Sequence, residues 1–146
     1  MPADTHRVDD LRGWDLAMGL RALLARTWQA EFDGMLELFS LGPGDVSECG
    51  AFLSLTGAFD AAVEAGDETS VAAVMREVDG LMATCEGRLD EPDRDHLHTA
   101  VVTCFLEGVL PVRADRFATV APHIGPATRR WFEQWQPWCL EPEPTT

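Results

Sequence analysis

The chain has no lysine, no asparagine and no tyrosine, and Ile124 is its one isoleucine. All eleven Lys/Arg positions are arginines, set against twenty-five carboxylates, for a net charge of −14 in 146 residues. So little positive charge disfavours nucleic acid and anionic membrane as partners, because both would repel this surface, and favours a cationic partner. The missing residue types read as codon bias in a GC-rich genome, so the absence of lysine carries no meaning of its own.

The sequence also lacks an apolar run of membrane-spanning length, a signal-peptide pattern and any C-x-x-C pair. Cys49, Cys85, Cys104 and Cys139 stand far apart. The expectation is a cytoplasmic protein with free thiols, Cys85 and Cys104 serving as small hydrophobes on apolar faces. Cys139, in the tail, has no adjacent base to activate it; the nearest arginines are nine and ten residues earlier. There is no phosphate loop, no Rossmann glycine pattern and no Gly-x-Ser-x-Gly elbow, and Gly42-Pro43-Gly44 precedes neither a strand nor a lysine. No cofactor is implied.

What the chain does have is enough apolar content, 46 % of its residues, for one ordinary domain with a single core. Its periodicity is helical throughout, and no segment alternates as a strand does. Leu11, Trp14, Met18, Ala25, Trp28, Phe32, Met35 and Phe39 form a stripe, widened by Leu16, Leu20, Leu23 and Leu24. This predicts one long helix, or two joined near Gly34. Ser40 to Gly44 ends it. Asp45 with Glu48 resembles a capping box for the next helix, which carries Phe52, Leu55, Phe59, Ala62 and Val63 on one face.

Gly66-Asp67 opens a third stripe, Val71, Val74, Met75, Val78, Leu81, Met82 and Cys85. Asp90-Glu91-Pro92 supplies an N-cap and first-turn proline for a helix to about Val109, apolar nearly all round from Thr99 to Leu110. Pro111 stops it. A short helix over Asp115 to Val120 follows, and Gly125-Pro126 starts a last one through Trp138. The predicted fold is an all-α, single-domain bundle of five or six helices with short connections. Residues 1–8 are expected to be a flexible N-terminus, 9–138 the bundle, and 139–146 a disordered acidic, proline-containing tail.

Several groups invite a chemical reading. His96 and His98 with Asp93 and Asp95 have metal-ligand chemistry, but residues two apart on a helix point to opposite sides, so no metal site is expected. Glu107 sits inside the apolar Cys104-to-Leu110 run, where a buried carboxylate needs a partner such as Arg129 or Arg130. The ordinary role is an ion pair locking the last helix to the fourth. The alternative is a small-molecule pocket or small helical enzyme using Glu107 and Arg129 near the C-terminal tryptophans. Trp131, Trp135 and Trp138 fall at i, i+4 and i+7 and share a face, either filling the core or lining a groove. Core filling is the expectation, with Trp138 exposed.

The order Val71 to Cys85, then Phe105-Leu106-Glu107, then Gly125-Pro126-Ala127-Thr128-Arg129 before Trp131 resembles a family of small bacterial helical domains of unknown function. These show an acidic amphipathic helix, a Phe-Leu-Glu block and a Gly-Pro-x-Ser/Thr-Arg stretch followed by an aromatic. The resemblance spans about Val46 to Trp138 and departs at Gly108 and Val109, where the family carries a polar residue. It implies a helical bundle with an immunity-like, partner-binding role rather than catalysis.

Charge sharpens that expectation. Residues 41–98 hold thirteen acids and three arginines, whereas 1–40 hold seven and four and 99–146 hold five and four. The acidic field belongs to the middle helices. Asp60, Glu64, Asp67, Glu68, Glu77 and Asp79, with Trp138, are the candidate contacts for a basic protein partner, a cationic toxin in the most concrete form. A monomer is expected, or a homodimer through the first helix.

Overall fold

A computed structural model describes residues 2–143, with side chains from residue 11 onward. In chain order its helices are α1 (Pro2–Arg21), α2 (Arg26–Leu38), α3 (Glu48–Glu64), α4 (Glu68–Cys85) and α5 (Pro92–Val101). A π turn (Val102–Leu106) leads into α6 (Glu107–Val109), and α7 (Phe117–Val120) and α8 (Pro126–Trp135) follow. Six of these run to ten residues or more, the all-α bundle that the periodicity predicts. None of the described helices is long and apolar enough to cross a membrane.

The third helix is the axis. Phe52, Leu55, Ala58, Phe59 and Ala62 are buried, and α1, α2, α4, α5 and the π turn all pack around them. Phe59 meets Phe105 of the π turn edge to face at 5.1 Å between ring centroids. Each fully buried phenylalanine contributes about 1.5–3 kcal/mol of hydrophobic stabilisation. Against the other side of this core, α4 buries Val71, Val74, Met75, Val78, Met82 and Cys85, the predicted stripe, with Leu81 partly covered.

The first stripe breaks at residues 22–25, not at Gly34. Ala25 is extended and opens α2, with its N–H reaching Ser70 Oγ at 3.3 Å. The corner is clamped by Arg21, whose guanidinium donates twice to Asp33 at 2.7 Å, and by Gln29, whose amide donates to the Arg21 and Leu24 carbonyls. The break shifts the helical phase, so Ala17, Leu20, Leu24, Phe32 and Leu36 are buried while Phe39 is 60 % exposed. Gly13 lets α1 cross close to the chain at Val46, since a Cβ there would sit 1.9 Å from the Val46 carbonyl oxygen.

Other boundaries also move. Ser47, not Asp45, caps α3 by accepting the Gly50 N–H, while Asp45 closes its own turn by accepting from Gly42 N–H. Residues 2–8 belong to α1. The last helix stops at Trp135, and a 3-10 turn, Pro137–Leu140, continues the fold beyond it. The predicted disordered tail is anchored as far as Glu143: Cys139 is buried, and Glu143 N–H donates to the Val112 carbonyl at 2.7 Å. Residues 144–146 lie outside the described ones.

The expectation of four free thiols is corrected. Cys49 near the start of α3 and Cys104 in the π turn form a disulfide, their Cα atoms 5.4 Å apart across 55 residues. Packing of the π turn against α3 brings them together. Cys85 and Cys139 remain buried free thiols, and burial raises the pKa of both. Since disulfides persist in oxidising compartments and are rare in the cytosol, this bond removes the ground for a cytoplasmic location that free thiols supplied.

Candidate functional site

The six acidic candidates divide into helix caps and surface charges. Asp67 is the N-cap of α4: it accepts from the Ser70 N–H at 3.2 Å, from the Ser70 hydroxyl at 2.7 Å and from the Trp28 indole N–H. These bonds, those of Ser70 first, hold its pKa below the ordinary carboxylate value. Asp79 performs the same service for another helix, accepting from Thr128 N–H at 2.8 Å and Thr128 Oγ1 at 2.9 Å at the start of α8. Gly125 is required there, because a Cβ would lie 2.1 Å from the Asp79 carboxyl carbon.

Glu64 reaches Arg116 at 3.5 Å and Glu68 reaches His123 at 3.9 Å. Asp60 lines a cleft with Arg113 and Arg116, where burial raises its pKa against the pull of Arg116. Glu77 is exposed and makes no ion pair among the described residues. On α4, Glu68 and Asp79 both turn toward the 117–128 segment, whereas Glu77, two residues before Asp79, projects the opposite way. The six carboxylates therefore do not gather on a single face.

Glu107 departs further from expectation. It is exposed and accepts from the Gln136 amide at 2.9 Å, while Arg129 donates to the Ala121 carbonyl at 3.1 Å and Arg130 makes a bidentate pair with Glu86. The buried ion pair is corrected: Glu107 is not buried and pairs with neither Arg129 nor Arg130 among the described residues. A signal for this was present: Thr99, Thr103 and Glu107 recur at i, i+4 and i+8 and form the solvent face of a helix taken to be apolar all round.

Of Trp131, Trp135 and Trp138, only Trp131 packs against the core. Trp131 is half-buried, and Trp135 and Trp138 are 55 % and 60 % exposed, so the exposure expected of Trp138 extends to Trp135. Trp131 and Trp135 lie 5.6 Å apart, and His98 meets Trp131 edge to face at 4.3 Å. They line a half-open cleft of about 370 Å³ between α4, α5 and α8. Periodicity alone gave no hint that α5 contributes its histidine to this cleft. His96, in contrast, is exposed, and no three metal-ligating side chains cluster among the described residues.

Phe105-Leu106 and Gly125 to Thr128 are scaffold. Phe105 and Leu106 are fully buried, and Gly125 to Thr128 form the capped start of α8 on Asp79. Comparison with protein-family models, with curated proteins and with solved structures finds no match to this chain.

Proposed function

We propose that the chain is a non-enzymatic binding domain for a basic protein partner, in its most concrete form an immunity-type protein that neutralises a cationic toxin. The observation that carries this reading is how the arginines are used. Arg12, Arg21, Arg88, Arg113, Arg116 and Arg130 are each tied to a carboxylate, which leaves the surplus acids uncompensated at the surface. A field of that sign accelerates encounter with a cation and does little else for the fold.

Asp67 and Asp79 drop out as partner contacts because they cap helices. Asp60, Glu68 and Glu77, with the exposed Trp138, remain, and Glu64 stays with its charge shared with Arg116. A homodimer through α1 would meet Leu11, 42 % exposed, rather than the whole stripe, because Ala17 and Leu20 are already buried. A cytoplasmic site of action requires that the domain keep its fold with Cys49 and Cys104 reduced.

The test is stopped-flow association with the purified product of the adjacent reading frame. Association slows steeply from low to high salt, and reversing Asp60, Glu64, Glu68 and Glu77 to arginine weakens it. Binding indifferent to both salt and charge reversal would sink the proposal.

A further inference from the structure

The cleft between α4, α5 and α8 has properties that the acidic surface does not explain. Its apolar wall is Met82, Leu89 and Ala127, and its aromatic side is Trp131 and Trp135. His98 closes it from α5. This ring is 7 % exposed, lines the cleft and makes no side-chain hydrogen bond among the described residues. Its nitrogens are thus left for a partner in the cleft, and the indole N–H of Trp131 on the same wall is buried without any hydrogen-bond partner, which is rare for a polar group out of water. Burial lowers the His98 pKa, so at neutral pH it is the uncharged ring, with one donor and one acceptor.

Charge narrows the ligand. Arg130 is the cation at the rim and already holds Glu86 through two hydrogen bonds, at 2.6 and 3.1 Å. Phosphates and carboxylates thus find no uncommitted cation in the cleft and are repelled by a chain of charge −14. A cationic ligand would sit against Met82, Leu89 and Ala127 with Glu86 already neutralised. The cavity, about 370 Å³, lies within the ordinary range for small-molecule sites. The exposed indole of Trp135 offers a π face for a flat molecule.

We propose that this cleft binds a small, uncharged, planar nitrogen heteroaromatic, stacked on Trp135 with its polar edge against His98. The site is independent of the acidic surface and needs none of Asp60, Glu64, Glu68 or Glu77.

The probe is quinoline at pH 8, titrated into the full chain and followed by heteronuclear NMR, with benzoate as the anionic counterpart. Quinoline shifts the Trp135 indole and His98 ring signals saturably, and benzoate does not. Trp135→Ala, at an exposed position that leaves the fold intact, weakens binding by roughly tenfold or more. His98→Phe keeps the ring and removes its nitrogens, weakening binding by roughly two- to tenfold. Absence of saturation, equal binding of benzoate, or a Kd unchanged in Trp135→Ala overturns the proposal. So does a concentration-dependent dimer that Trp135→Ala dissociates while quinoline fails to bind, which would assign the face to a second copy.

Discussion

The fourth and eighth helices lie against one another, and each starts at an aspartate cap, Asp67 for α4 and Asp79 for α8. They differ in what becomes of their apolar residues. The stripe of α4 is covered on one side by α3 and on the other by α5 and α8, and six of its residues are buried besides Ser70. In α8 the buried residues are Ala127, Thr128 and Phe132, while Trp135 stands in solvent. A shared face is a property of spacing; a covered face needs a neighbour. The indoles of α8 have a neighbour on one side only, and the cleft is what is left on the other.

The contrast is sharpest in the core. Met75→Ala, at a fully buried position of α4, is expected to cost about 2–5 kcal/mol in chemical denaturation. Losing the Cys49–Cys104 disulfide, by reduction or by paired serine substitution, is expected to cost about 2–4 kcal/mol, read from the shift in denaturation midpoint. Next comes the junction of the two helices. Gly125→Ala forces a methyl into the Asp79 carboxylate and should cost about 1–3 kcal/mol, with Asp79→Ala costing about 1–2 kcal/mol through the lost cap. Equal stability of the wild type and Gly125→Ala would remove the close approach from the account of how α8 docks.

Acid should loosen the fold in two stages. Burial holds the His98 pKa below its ordinary 6.5, so the unfolded chain takes up the proton first; this stabilisation is full above about pH 6.5 and is lost as pH falls through the folded value. Asp33 and Asp67 are held below the ordinary 3.8, chiefly by hydrogen bonds from Arg21 and Ser70, so their stabilisation is present above that value and disappears below it. Asp60, raised by burial, acts in the opposite sense and loses its favourable contribution as pH rises through its folded value. Thermal melts from pH 8 to pH 3 should therefore fall first below about pH 6.5 and again below about pH 4, and His98→Phe should abolish the first step. The smallest effect belongs to the solvent side of the C-terminal segment: Trp138→Ala should change stability by no more than about 0.5 kcal/mol.

Much of the fold was legible because it is written in short-range signals. The stripes of α3 and α4, the Asp67 cap, Pro92 at the first turn of α5 and Gly125-Pro126 at the start of α8 each depend on residues within a turn or two. Part of the error was equally local: Ser47 was available as a cap, and Thr99, Thr103 and Glu107 already marked a solvent face. The candidate acidic site was less legible. That Asp79 caps α8 depends on a partner 49 residues away, and that Asp67 binds Trp28 depends on one 39 residues away.

By itself, then, the sequence determined an all-α chain, the positions of its main helices and a surface dominated by carboxylates, because periodicity, caps and charge count are local or additive. Tertiary structure alone decided the break at residues 22–25, the pairing of Cys49 with Cys104, and the cleft where α5 brings His98 to the tryptophans of α8. Those outcomes rest on contacts between residues distant along the chain. Their energies come from which faces meet and which stay uncovered, and spacing along one helix carries no information about the helix that packs beside it.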